Sequence, residues 1–116
     1  MFGPVIRPEL KPLKTNNMYE MTDERLKALK AQYGTVYLIT VDDKAAVFKK
    51  PSRNDLSYAT AASSQGKDAV KLAETILRNT YVEGDREIID DDDYFYGAMP
   101  IAMEMFETKQ GEIKKL

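Results

Sequence analysis

The sequence predicts an α+β fold: an N-terminal extended arm, a helix, a β-hairpin, and then three or more helices packed on it. Three observations carry this. Residues 35–49 hold two runs rich in β-branched and aromatic residues around an Asp-Asp-Lys turn. Residues 68–82 place apolar side chains at helical spacing. Pro4, Pro8 and Pro12 recur every four residues, which forbids a helix at the N-terminus and favours extended backbone.

The arm covers residues 1–17, and one α+β domain covers residues 18–116. Phe2, Val5, Ile6, Leu10 and Leu13 make the arm apolar, yet they cannot form a core alone. Such an arm packs on its own domain, reaches a neighbouring subunit, or stays a loose terminus. Phe2, Val5, Ile6 and Leu10 are therefore candidate partner-binding residues.

A first helix is expected over 22–33, with Thr22 as N-cap, acids Asp23 and Glu24 in the first turn, and Gly34 after its end. Leu26, Leu29 and Tyr33 fall on one face. The hairpin runs Thr35 to Val41 and returns Ala45 to Lys49, with Pro51 ending it. A two-stranded hairpin is marginal by itself, and its edges invite pairing. Val36 and Leu38 on it are candidate contact residues.

Ser52 caps a helix over 53–64, with Asp55 three residues on, and Gly66 breaks it. Asp68 starts the best helix, to about Val82, with Ala69, Leu72, Ala73, Ile76, Leu77 and Thr80 as its stripe; Gly84-Asp85 closes it. Ile88 and Ile89 lead into Asp90 to Asp93, at the start of a last helical region carrying Phe95, Ala98, Ala102, Met105 and Phe106. Gly97 and Pro100 predict a kink or two helices meeting near Met99. Residues 111–116 read as a basic, frayed end.

A chain of 116 residues with 43% hydrophobic residues can bury one core and leaves little for a deep cleft. It has no Cys, His or Trp. That removes thiolate nucleophiles, disulfides, imidazole acid–base chemistry, and zinc sites built on imidazole or thiolate. There is no Gly-rich phosphate loop and no nucleophile elbow that a histidine could activate. The expected functional class is non-enzymatic, with no catalytic, cofactor-binding or metal-binding residues. The absence of Cys is compatible with a reducing cytoplasm. No apolar run approaches a membrane span and no signal-peptide pattern opens the chain, so a soluble protein without membrane contact is expected.

Net charge is −2, with 17 basic and 19 acidic residues, far from the basic excess of a typical nucleic-acid binder. An acidic block (Glu83, Asp85, Glu87, Asp90 to Asp93) and a basic one (Lys49, Lys50, Arg53) are either solvated surface or complementary patches that steer association. Asp90 to Asp93 read as helix-capping acids or a divalent-cation site, but their spacing lacks the alternation of a calcium loop. Tyr94, Phe95 and Tyr96 beside that run, and Tyr81 at the end of the best helix, are either core rings or interface aromatics. Tyr81, Tyr94 and Tyr96 complete the candidate partner-binding set.

The order of elements, together with the stretches Phe48-Lys-Lys-Pro51-Ser-Arg53 and Arg78-Asn-Thr-Tyr-Val-Glu-Gly84-Asp85, resembles the small tail-assembly-chaperone-like proteins of bacteriophages and prophages. The resemblance covers roughly residues 22–116; an aromatic that is often Trp in that group corresponds to Tyr81 here. It implies a protein without enzymatic activity that binds tape-measure and tail-tube proteins, forms homo-oligomers, and works in the host bacterial cytoplasm during assembly. The proline-spaced arm equally suits a permanent subunit of the virion (capsid, neck or tail) that clasps its neighbours.

Overall fold

The structure, a computed structural model, describes residues 19–116. The arm expected at 1–17, with Phe2, Val5, Ile6 and Leu10, lies outside the described residues.

Helix α1 (Asp23–Tyr33) starts where Thr22 accepts the Arg25 N–H at 3.1 Å. It stops at Gly34, whose φ of +79° no other residue adopts cheaply. Strands β1 (Val36–Val41) and β2 (Lys44–Lys49) form the expected hairpin across Asp42-Asp43. Asp42 holds a φ of +53°, which aspartate tolerates in turns. Helix α2 (Arg53–Ala62) carries a full capping box: Asp55 N–H donates to Ser52 Oγ at 3.1 Å, and Ser52 N–H donates to Asp55 Oδ2 at 2.8 Å. Helix α3 (Ala69–Thr80) begins at Asp68, which accepts the Lys71 N–H. Then follow strand β3 (Tyr81–Gly84), the single turn α4 (Glu87–Asp90), helix α5 (Asp92–Ala102) and a 3₁₀ turn (Met103–Met105).

Three expectations are corrected. The hairpin is not alone: β3 pairs antiparallel with β2, giving a sheet of order β1-β2-β3. The helix expected to reach Val82 therefore ends at Thr80, and the chain enters β3 with no linker. Tyr81 and Val82 suit a strand, and Gly84 lets β3 close on β2. A Cβ at Gly84 would stand 2.6 Å from Ala46 Cα and 2.8 Å from the Ala45 carbonyl oxygen. Second, α2 ends at Ala62, because Ser64 and Gln65 already turn with φ of 56° and 63°.

Third, α5 runs from Asp92 to Ala102 without a joint at Met99. Gly97 is there for close approach, since a Cβ would lie 2.7 Å from Val41 Cγ1. Pro100 sits in the last turn on the exposed face it shares with Tyr96. The Tyr96 carbonyl that a Pro100 N–H would have bonded thus faces water.

The sheet lies between two helical layers. On one face Tyr37, Ile39 and Val41 of β1 join Ala46 and Phe48 of β2. Against them pack Ala73, Ile76 and Leu77 of α3, Ile88 and Ile89 of α4, and Phe95, Ala98 and Ala102 of α5. The stripe expected on α3 is buried through Ala73, Ile76, Leu77 and Thr80, while Ala69 is exposed. On the other face Ala45 and Val47 are also buried, as is Leu29 of α1, which packs on β1. The register sets Leu38 opposite Val47 and Thr40 opposite Ala45 on that face. No helix among the described residues is long and apolar enough to cross a membrane.

Candidate functional site

Strand β1 forms one edge of the sheet. Val41 and Lys44 flank a two-residue turn, and the Lys50 N–H donates to the Thr35 carbonyl at 3.1 Å. In an antiparallel ladder this parity turns the backbone groups of Thr35, Tyr37, Ile39 and Val41 toward β2. Those of Val36, Leu38 and Thr40 point outward. Among the described residues no strand pairs with them. Leu38 is 50% exposed in mid-strand, and Val36 is half-buried. The strand VYLITV has no charge, no proline and no bulge, the usual guards of an edge. A cavity of about 430 Å³ lined by Lys30, Gly34, Thr35 and Val36 opens at its start. Basic side chains gather at this end, Lys30, Lys49 and Lys50, the last shared with Glu107 at 3.6 Å. Asp42 and Asp43 stand at the other end.

The far edge is tied down instead. Glu83 pairs with Val47, so its side chain lies on the α1 face. There it receives Arg25 Nε at 2.9 Å, a second guanidinium nitrogen, and the Tyr19 hydroxyl. The Arg25 hydrogen bond holds the Glu83 carboxyl below its ordinary value of 4.5. Burial first, and then the bond to Glu83, pushes the Tyr19 hydroxyl up to about 12. Asp85 Oδ2 accepts the N–H groups of both Tyr19 and Ala45 at 3.0 Å. These two acids of the block therefore staple the start of α1 to the sheet.

The remaining acids are largely engaged too. Asp90 meets Arg78 at 3.0 Å and Arg86 at 3.5 Å, and Asp91 caps α5 by accepting the Asp93 N–H. Among the described residues no group of three or more acids is placed to hold a metal ion.

The candidate aromatics do not converge. Tyr81 packs edge-on against Phe48 with ring centroids 6.0 Å apart, donates to the Gly84 carbonyl at 2.6 Å, and carries Arg86 over its ring at 5.0 Å. The Tyr94 hydroxyl donates to Asp43, and that bond pushes it up to about 12. Tyr96 is 60% exposed on α5, beside a shallow groove of about 200 Å³ lined by Val70, Ile89 and Phe95. That volume is below the roughly 300–1,000 Å³ usual for a small-molecule site. Of the candidate residues within the described region, Val36 and Leu38 share β1, and Tyr81, Tyr94 and Tyr96 are separate from them. Sequence reading missed Glu83 and Asp85 as structural acids; the run of acids around them hid the two whose partners lie far back in the chain.

Comparison with protein-family models, with curated proteins and with solved structures gave no match to this chain.

Proposed function

We propose that this protein is a non-enzymatic assembly protein of a bacteriophage or prophage tail, acting as a chaperone that binds tape-measure and tail-tube proteins and associates with itself. The observation that carries the reading is the β1 edge, unpaired among the described residues, with outward backbone groups at Val36, Leu38 and Thr40 and a half-exposed Leu38. An edge of this kind pairs with a further strand, in which main-chain bonds supply affinity, and this supports the self-association in the reading. The composition supports it, since the side chains that most often do acid–base, thiol or zinc chemistry are missing. The resemblance of residues 22–116 to tail-assembly-chaperone-like proteins supplies the partner class.

The test is co-purification of the full chain with a tape-measure protein and a tail-tube protein encoded beside it. Stable binding of either supports the reading, and binding of neither refutes it. Mass spectrometry of purified particles separates this function from a permanent virion subunit. A chaperone is lost from finished particles, whereas a subunit is present in fixed stoichiometry.

A further inference from the structure

We propose that the β1 edge is a twofold interface in which a second copy of this chain adds its own β1 antiparallel, joining two three-stranded sheets into one of six. The proposal deepens the assembly reading and rests on it only for the expectation of self-association.

Parity fixes the register. Val36, Leu38 and Thr40 carry the outward N–H and C=O groups, so a twofold axis between two Leu38 residues lets each exchange both bonds with its counterpart. Val36 then faces Thr40 of the second copy, and Gly34 faces Asp42. Leu38, 50% exposed and opposite Val47 on the α1 face, meets its own copy there.

Charge selects the antiparallel sense. It brings Asp42 of each copy to the basic end of the other, where Lys30 lines the open cavity with Gly34, Thr35 and Val36 and where Lys49 ends β2 opposite Val36. The contact occurs twice by symmetry. A parallel pairing would instead set Asp42 beside Asp42 and lysines beside lysines. The uncharged strand itself offers nothing that repels a copy.

Light scattering on the full chain at high protein concentration tests this, with four variants. The parent is expected at twice its monomer mass. Leu38→Lys sets like charges directly opposite each other and is expected to halve that mass, with circular dichroism unchanged. Val70→Lys, at a site 51% exposed on α3, is expected to leave it unchanged. The chain has no cysteine of its own, so Leu38→Cys is expected to give a disulfide-linked dimer on mild oxidation, at a Cα separation of about 5.5 Å that suits the bond. Tyr58→Cys, 64% exposed on α2, is expected to stay uncrosslinked.

A monomeric parent overturns the proposal. So does a monomer in which the Val36, Leu38 and Thr40 amides resist hydrogen exchange, because the edge is then covered from within. Equal mass for Leu38→Lys and Val70→Lys, or equal crosslinking at positions 38 and 58, overturns it as well. Each of these failures leaves the co-purification test standing, so the interface and the assembly function fall separately.

Discussion

Gly84→Ala probes the contact that makes the sheet three-stranded. Two penalties act at this position. A φ of +117° is strained for any residue with a Cβ, at about 1–3 kcal/mol. The added carbon would also stand 2.6 Å from Ala46 Cα and 2.8 Å from the Ala45 carbonyl oxygen, both backbone atoms of the central strand that no rotamer change can move. Overpacking of this kind costs about 1–3 kcal/mol more. Lost unfolded-state entropy returns roughly 0.4–1 kcal/mol. The net is a loss of about 2–5 kcal/mol, a large share of the ~5–15 kcal/mol that holds a domain folded. Gly34→Ala supplies the reference, because Gly34 has a φ of +79° and nothing within 4 Å of the new carbon. It carries the strain without the overlap. Urea unfolding of both variants, followed by circular dichroism, should place Gly84→Ala below Gly34→Ala by about 1–3 kcal/mol. If the two lose the same stability, close packing of β3 on β2 is not what requires glycine, and the reasoning fails.

Other consequences are open to measurement. Gly97→Ala gains about 1 kcal/mol of helix propensity but puts a carbon 2.7 Å from Val41 Cγ1, for a net loss of up to about 2 kcal/mol. Adding Val41→Ala to it should then cost less than the sum of the single changes, read as a coupling energy in unfolding experiments. Asp85→Ala leaves the Tyr19 and Ala45 N–H groups without their acceptor and should destabilise by about 1–3 kcal/mol, with faster exchange of both amides. Glu83→Gln tests a pH dependence. The folded-state value of Glu83 lies below 4.5, so its stabilisation is present above pH 4.5 and fades as pH falls through the folded value. The stability gap between parent and Glu83→Gln should therefore narrow steadily in acid, and a gap that widens there would contradict the Arg25 pairing.

Local signals in the sequence carried the local structure. Thr22 and Ser52 cap the helices they were expected to cap, α3 starts at Asp68 as expected, and Gly34 ends α1. The hairpin is also where two runs rich in β-branched and aromatic residues around an Asp-Asp-Lys turn put it, except that Lys44 already belongs to β2. What escaped reading depends on contacts distant in sequence. Tyr81 to Gly84 follows α3 with no glycine or proline between, and only pairing with β2 more than thirty residues earlier makes it a strand. Gly97 looks like a helix breaker until Val41 is seen against it. Glu83 and Asp85 were indistinguishable from the acids that follow them, because their partners Tyr19, Arg25 and Ala45 lie far back in the chain. Within the candidate site, the unprotected edge was legible from Val36 and Leu38. The roles of Tyr81 and Tyr94 were not, since Phe48 and Asp43 reach them only through the fold.

The staple at Glu83 and Asp85 gives the molecule a direction. Tyr19 is held beside β3, whereas β1 stands at the opposite edge of the sheet. In the paired form the two Tyr19 residues would sit near opposite margins of a six-stranded sheet, across about 24 Å of strand spacing. A pair built this way resembles a clasp: two uncharged edges close on each other at the centre, while at each outer margin the Glu83 and Asp85 contacts hold the start of α1 in place.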